Sequence, residues 1–233
     1  MRNSSQEGRG RLLVIEGLDG SGKATQARLL AETLTREGLP VRQISFPNYE
    51  SESSALVRMY LGGQLGDKPD DVNAYAASSF FAVDRYASYK TDWGAFYHSG
   101  GILIADRYTT SNGAHQCSKL PRDQWDGYLG WLFDYEYRLL GLPAPDLVIY
   151  LRVDPMVSQR LMTGRYHGDE SKKDIQERDL EYMERSRQAA EYCAQKLGWE
   201  ILECTTAAGR MRPADHISWE VRALAGQILG QEK

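Results

Sequence analysis

Residues 12–25 carry the densest chemistry in the chain. Leu12, Leu13, Val14 and Ile15 form an apolar run that ends at Glu16. Gly17-Leu18-Asp19-Gly20-Ser21-Gly22-Lys23-Ala24-Thr25 follows, and a helical pattern opens at Lys23. This is the strand, glycine-rich loop and helix of a phosphate-binding loop, G-x-x-x-x-G-K. Glycine lets successive backbone N–H groups curl inward with no Cβ in the way, which makes an anion nest. The helix N-terminus adds partial positive charge, and Lys23 supplies a point charge for the β- and γ-phosphates of a nucleotide. Ala24 stands where the full motif has a Ser or Thr whose hydroxyl would hold Mg²⁺.

Three other groups could do chemistry. Asp106 and Arg107 are the first charges after the apolar run Ile102–Ala105, so they fall at the carboxyl end of a buried strand, where open α/β sheets bind ligands. An ion pair that merely closes the strand would look the same. Phe81 and Arg85 are four residues apart and share one helix face; Phe81 reads equally well as a second core residue. The polar segment Thr163–Lys173 carries Arg165, Lys172 and Lys173 beside Gly164 and Gly168. Such a loop cannot bury itself and is expected to be a mobile lid.

The elements that must position these groups alternate in type. Strands are predicted at Leu12–Glu16, Val41–Phe46, Ile102–Asp106, Asp146–Arg152 and Trp199–Cys204. Helices are predicted at Lys23–Glu37, Ser53–Leu61, Asp70–Tyr97, Thr110–Gln116, Pro121–Leu140, Asp154–Met162, Asp174–Leu197 and Pro213–Leu229. Val72, Ala76, Phe80, Val83 and Ala87 are the predicted core stripe of the long third helix. The pattern implies an α/β fold, a doubly wound sheet of about five parallel strands. One domain is expected over residues 1–233, with a lid at about 163–173 and a frayed tail at 1–10 that lacks the apolar core of a signal peptide.

The chain has 233 residues and a net charge of −4, so no global basic field argues for nucleic acid. No apolar run approaches membrane-spanning length. Cys117, Cys193 and Cys204 show no C-x-x-C spacing and read as reduced thiols in the cytoplasm. The four histidines lie apart in sequence, and none is placed to act as a general base. Trp125, Trp131, Phe133 and Tyr135 load one helix with more aromatic surface than a single core face needs, so a homodimer surface is expected there beside ordinary core.

The stretches Glu16–Lys23, Phe46-Pro47, Phe81-Ala82-Val83-Asp84-Arg85 and Asp106-Arg107-Tyr108 with Ser111-Asn112 occur in the order and spacing of thymidylate kinases, which the chain resembles from its first strand through the lid. The resemblance implies a P-loop nucleotide kinase that uses Mg²⁺ and ATP to phosphorylate dTMP, for DNA precursor synthesis. It implies that Gly17–Thr25 bind ATP and that Asp19 meets the sugar 3′-hydroxyl of the acceptor. Phe81 would stack on thymine and Arg85 would donate to a base oxygen. Arg107 would hold the acceptor phosphate, with Asp106 beside it organising Mg²⁺ through water. Ser111, Asn112 and Gln116 would line the sugar and base pocket, and Phe46, Pro47 and Tyr49 would border it. Tyr49 departs from members with an arginine after Phe-Pro. One version of the family carries its transition-state arginine in the phosphate loop, where this chain has Gly20. The lid version is therefore implied, with Arg165 as the catalytic cation and Arg160 and Lys172 behind it.

The phosphate loop alone would also suit an ATPase or a GTPase, but a GTPase would need N-K-x-D, which is absent. Another nucleotide or deoxynucleoside kinase of the same fold is the nearer alternative. A non-catalytic nucleotide-binding module is the further one, suggested only by Ala24.

Overall fold

The computed structural model describes residues 9–154, 156–158, 160–161 and 173–230. Its centre is a five-stranded sheet of β1 (Arg11–Glu16), β2 (Val41–Ser45), β3 (Ile102–Asp106), β4 (Leu147–Arg152) and β5 (Glu200–Glu203), in the order β2-β3-β1-β4-β5. Every pairing is parallel, with Leu13 opposite Ile104 on one side and Leu147 on the other. Parallel neighbours require crossovers, and the helices supply them on both faces. These are α1 (Lys23–Arg36), α2 (Ala55–Leu61), α3 (Ala74–Ser88), α4 (Gly94–His98), α5 (Thr109–Cys117), α6 (Trp125–Phe133), α7 (Ile175–Arg178), α8 (Leu180–Leu197) and α9 (Ala214–Leu229).

The period-two geometry of a strand divides the core. Leu12, Val14, Leu103 and Ala105 point to the layer holding Trp93, Tyr128, Leu132 and Cys193. Leu13, Ile15, Ile102 and Ile104 point to the other layer, with Leu30 and Leu34 of α1 and Val221 and Ala225 of α9. Chain order reverses at β1, so a crevice opens where its carboxyl end meets those of β3 and β4.

Several predicted helices are broken in the structure. The Asp70–Tyr97 segment starts instead with a 3₁₀ turn at Pro69–Asp71. Asn73 then caps α3 by accepting from Ala76 N–H, and a π-helical turn at Tyr89–Trp93 separates α3 from α4. Its predicted core stripe is also rotated: Val83 is exposed, while Ala77, Ser78, Ala82, Asp84 and Arg85 face inward. The physical reason is that α3 borders a polar site, so its inner face is not its most apolar one. Pro121–Leu140 resolves into a 3₁₀ turn, α6 and a π-helical turn at Asp134–Leu139. Asp179 divides Asp174–Leu197, capping α8 by accepting from Tyr182 N–H.

Arg9 and Gly10, expected in the frayed tail, are fixed: Arg9 pairs with Asp146 at 3.2 Å, and Gly10 N–H donates to Tyr97 O at 2.8 Å. Residues 1–8 and 162–172, with Arg165 and Lys172 of the expected lid, lie outside the described residues. Lys173, expected in the same loop, is buried. The aromatic load of α6 and the following turn packs largely inward, with Trp125 and Tyr128 buried and Trp131 and Phe133 against the core.

Candidate active site

The phosphate loop leaves β1 through backbone geometry that side chains resist. Gly17 has φ 153°, and a Cβ there would lie 2.4 Å from Ser21 Oγ. Gly22, at φ 88°, caps α1 in a left-handed conformation. Lys23 lies buried, its Nζ donating to Leu18 O at 2.9 Å and standing 3.6 Å from Asp19. Burial lowers the Lys23 ammonium, and the nearby Arg107 guanidinium adds to this. Burial would raise the Asp19 carboxyl, but Arg107 and Lys23 outweigh it and hold the group well below its usual range.

Arg107 arrives from the end of β3 with φ 68°. Its Nη2 donates to Asp19, and its Nη1 lies 3.1 Å from His115 Nε2 and 3.5 Å from Ser111 Oγ. A guanidinium donates only, so His115 must accept through Nε2, which makes it a neutral ring protonated at Nδ1. Burial, then Arg107, pushes the imidazole down to about 3. Glu16 is buried at the end of β1 and accepts from Thr110 Oγ1 at 2.6 Å and Ser111 Oγ at 2.8 Å, tying the start of α5 to the phosphate loop.

A cavity of about 860 Å³ fills the crevice, large enough for nucleotides. Asp19, Gly20, Ser21, Gly22, Lys23, Ala24 and Thr25 line it from the loop, and Phe46, Pro47 and Tyr49 from the end of β2. Phe81, Arg85, Asp106, Arg107, Ser111, Asn112 and Gln116 line it from α3, β3 and α5. Gly17 and Leu18 stand behind the loop and do not line it. The other expected residues between positions 19 and 116 therefore meet around one cavity.

Local contacts refine the parts. Phe81 is half-buried, edge-on to Tyr60 with ring centres 6.4 Å apart. Arg85 is fully buried, with Nε 2.7 Å and Nη2 3.0 Å from the Glu136 carboxylate. Asp84, its neighbour, accepts from Asn48 N–H and Ser53 Oγ, holding the Phe46–Ser53 loop at the cavity rim. Tyr49 is half-exposed, and burial, with Asp174 adding, pushes its phenol up to about 12. Asp106 Oδ1, Gln116 Nε2 and Gln116 Oε1 are buried without a protein partner.

Sequence reasoning missed His115, Glu136 and the acidic end of the cavity at Asp174 and Glu177. It also missed Met211, Arg212 and Ile217, which line the cavity on the α1 side. Burial pushes the Asp174 carboxyl up to about 7. His115 had one available signal, its place one residue before Gln116 on the same short helix.

Strand order, the glycine loop and a second cation-bearing strand end define the class as an α/β fold with a phosphate-binding loop. A family model described as thymidylate kinase matches residues 15–208, and the chain belongs to that family. It is 31% identical over 205 residues to the thymidylate kinase of Mycobacterium tuberculosis, covering 86% of this chain and 94% of the relative. It is 31% identical over 183 residues to that of Schizosaccharomyces pombe, covering 78% and 79%. The solved structure of the Candida albicans thymidylate kinase superposes with a TM-score of 0.69 at 21% identity, covering 96% of this chain and 94% of that one.

Proposed function

We propose that this chain transfers the γ-phosphate of ATP to dTMP, giving dTDP, with the residue roles that follow. The observation that carries the reading is the meeting of two recognition surfaces at Arg107. On one side lies the anion-holding loop with Lys23. On the other, Phe81 offers a ring face, Arg85 a donor edge, and Gln116 an unpartnered amide, all lining one cavity. A flat heterocycle with a polar edge suits that second wall.

The acceptor phosphate is already anionic, so transfer needs no general base. His115 is held neutral and faces Arg107, which leaves it no proton to remove. Catalysis rests on positioning and on neutralising charge between the two phosphates. Lys23 would hold the donor phosphates, Arg107 the acceptor phosphate, and Asp19 the sugar 3′-hydroxyl, with Ser111 and Asn112 beside it. Tyr49, Phe46 and Pro47 would close the rim. Arg165, outside the described residues, is the proposed transition-state cation of the lid.

The residues present fit a Mg²⁺ that arrives with ATP. Asp106 lines the cavity with a buried, unpartnered Oδ1, suited to anchoring metal-bound waters, whereas Ala24 offers no hydroxyl. The ion would supply charge compensation on the β- and γ-phosphates.

A cytoplasmic homodimer completes the reading. All three cysteines are free and buried. No described helix is long and apolar enough to cross a membrane, and the net charge of −4 gives nucleic acid no general attraction. Tyr75, Val83 and Tyr86 form an exposed apolar face on α3, which supports a second copy docking there; a monomeric mass in light scattering would remove that part.

The test is a phosphorylation assay with Mg-ATP across dTMP, dUMP, dCMP, thymidine and AMP. The highest kcat/KM is expected for dTMP. A preference for thymidine or AMP overturns the proposal.

A further inference from the structure

We infer that Glu136 sets the hydrogen-bonding polarity with which the acceptor cavity reads a base, and so acts as a specificity-determining positioning residue. The inference rests on the reading of that cavity as a dTMP site. Glu136 does not line the cavity. It lies behind the wall, fully buried, on the π-helical turn Asp134–Leu139. π-Helical turns re-aim individual side chains and are frequent at functional sites.

Its carboxylate collects four donors: Arg85 Nε at 2.7 Å, Arg85 Nη2 at 3.0 Å, Thr109 Oγ1 at 2.7 Å and Asn112 Nδ2 at 3.1 Å. An ionised carboxylate accepts and cannot donate, so each partner must turn a donor toward it. Two of those partners also line the cavity.

The consequence for Asn112 is an orientation. One amide proton goes to Glu136 and the other to Ser78 O at 3.3 Å, and neither partner could serve a flipped amide. Only Oδ1, an acceptor, is left to meet a ligand. Arg85 is fixed in the opposite sense. Its Nε–Nη2 edge is taken, and its guanidinium lies 5.2 Å from the Phe46 ring centre and 5.1 Å from that of Tyr108. What remains at its Nη1 end can only donate.

Gln116 cannot supply this direction by itself. Both its amide atoms are buried without a partner, so the group can turn over to suit either pattern. The fixed donor of Arg85 and the fixed acceptor of Asn112 match an oxo group beside a ring N–H, as on thymine or uracil. They oppose an amino group beside a bare ring nitrogen, as on cytosine. Glu136 holds the first in place and sets the orientation of the second.

The test compares kcat/KM for dTMP and dCMP in wild type, Glu136→Gln and Glu136→Asp, with KM for ATP and the thermal midpoint measured alongside. Glutamine keeps the shape but brings two protons of its own, so either Asn112 must turn over or Arg85 must lose a partner and shift. Glu136→Gln is expected to cut the dTMP-to-dCMP ratio at least tenfold with KM for ATP unchanged. Glu136→Asp, which stays an acceptor, is expected to keep the ratio even where overall activity falls. Equal losses on both substrates in Glu136→Gln, or an unchanged ratio, would overturn the inference. If Glu136→Gln does not fold, Asn112→Ala applies the same test by deleting the oriented acceptor: the ratio should fall, and an unchanged ratio refutes the role. A wild-type protein without dTMP activity would instead remove the reading of the cavity itself.

Discussion

Arg107 and Asp19, 88 residues apart in sequence, meet across the mouth of the crevice as an ion pair between the end of β3 and the phosphate loop. A phosphate entering beside Arg107 must share the guanidinium with Asp19, His115 and Ser111. A forked cation can serve several acceptors at fixed angles, whereas an ammonium cannot. Arg107→Lys is therefore expected to lower kcat/KM for dTMP by roughly 10²-fold or more, the scale for losing one preorganised donor. Steady-state kinetics at saturating ATP check this, and near-normal values would show that charge alone suffices.

His115 makes stability depend on pH. Its folded pKa lies near 3, below the ordinary value of 6.5, because burial and then Arg107 disfavour its charged form; Asp19 opposes them, while Lys23 and Lys119 act with Arg107. The folded state thus refuses a proton that the unfolded state accepts. That stability is fully present above pH 6.5 and is lost as pH falls from 6.5 toward 3. At pH 5 the loss is about 2 kcal/mol, from 1.5 pH units at about 1.4 kcal/mol each. Asp174, raised to about 7, has the opposite sign, its contribution fading as pH rises toward 7. It is common to wild type and variant, so it cancels in a comparison. His115→Gln, which can still accept from Arg107, should lose about 2 kcal/mol less than wild type between pH 8 and pH 5 in denaturant titrations. Parallel losses would mean that His115 titrates in the fold.

Phe81 is expected to act on one substrate only. Phe81→Ala should weaken dTMP by about 1–3 kcal/mol, the range for a lost base–aromatic stack, with KM for ATP barely changed. Its edge contact with Tyr60 gives the substitution a packing cost as well. Calorimetric binding of both nucleotides to the folded variant separates the two effects. Unaltered dTMP affinity in a destabilised protein would make Phe81 a core residue.

Asp106 should set the metal requirement. Removing its negative charge in Asp106→Asn is expected to raise the Mg²⁺ concentration for half-maximal rate sharply, while Ala24→Ser leaves activity equal or slightly better. Thr25, exposed at the start of α1, also lines the cavity. A metal requirement that rises in Thr25→Val and stays flat in Asp106→Asn would move the metal-organising role to that hydroxyl.

The sheet and the phosphate loop were legible in the sequence because each depends on local signals. β-branched runs form buried strands, and glycines mark the turn that follows. The inner face of α3 was not legible, because periodicity assigns apolar residues inward, whereas Asp84 and Arg85 are buried by partners far along the chain. Glu136 sits in an aromatic stretch where one acid looks like a solvated residue; only the π-helical turn brings it to Arg85. His115 had only its place beside Gln116 as a signal, since its meaning comes from Arg107 on a different element. Asn73 and Asp179, which cap α3 and α8, are ordinary polar residues until their backbone donors are known.

Among the described residues, Arg107 is the one non-glycine residue with a left-handed backbone, at φ 68°. That conformation costs an L-residue about 1 kcal/mol, which glycine escapes. Among variants that delete the side chain, a selection for thermal resistance alone would therefore favour Arg107→Gly over Arg107→Ala, while both strand the Asp19 carboxylate without its partner. The position separates backbone strain from charge: libraries screened by heat should rank glycine above alanine here, and libraries screened by growth on dTMP phosphorylation should keep only the arginine. Deep sequencing of one library under both selections would show the glycine-over-alanine order under heat and its disappearance under growth.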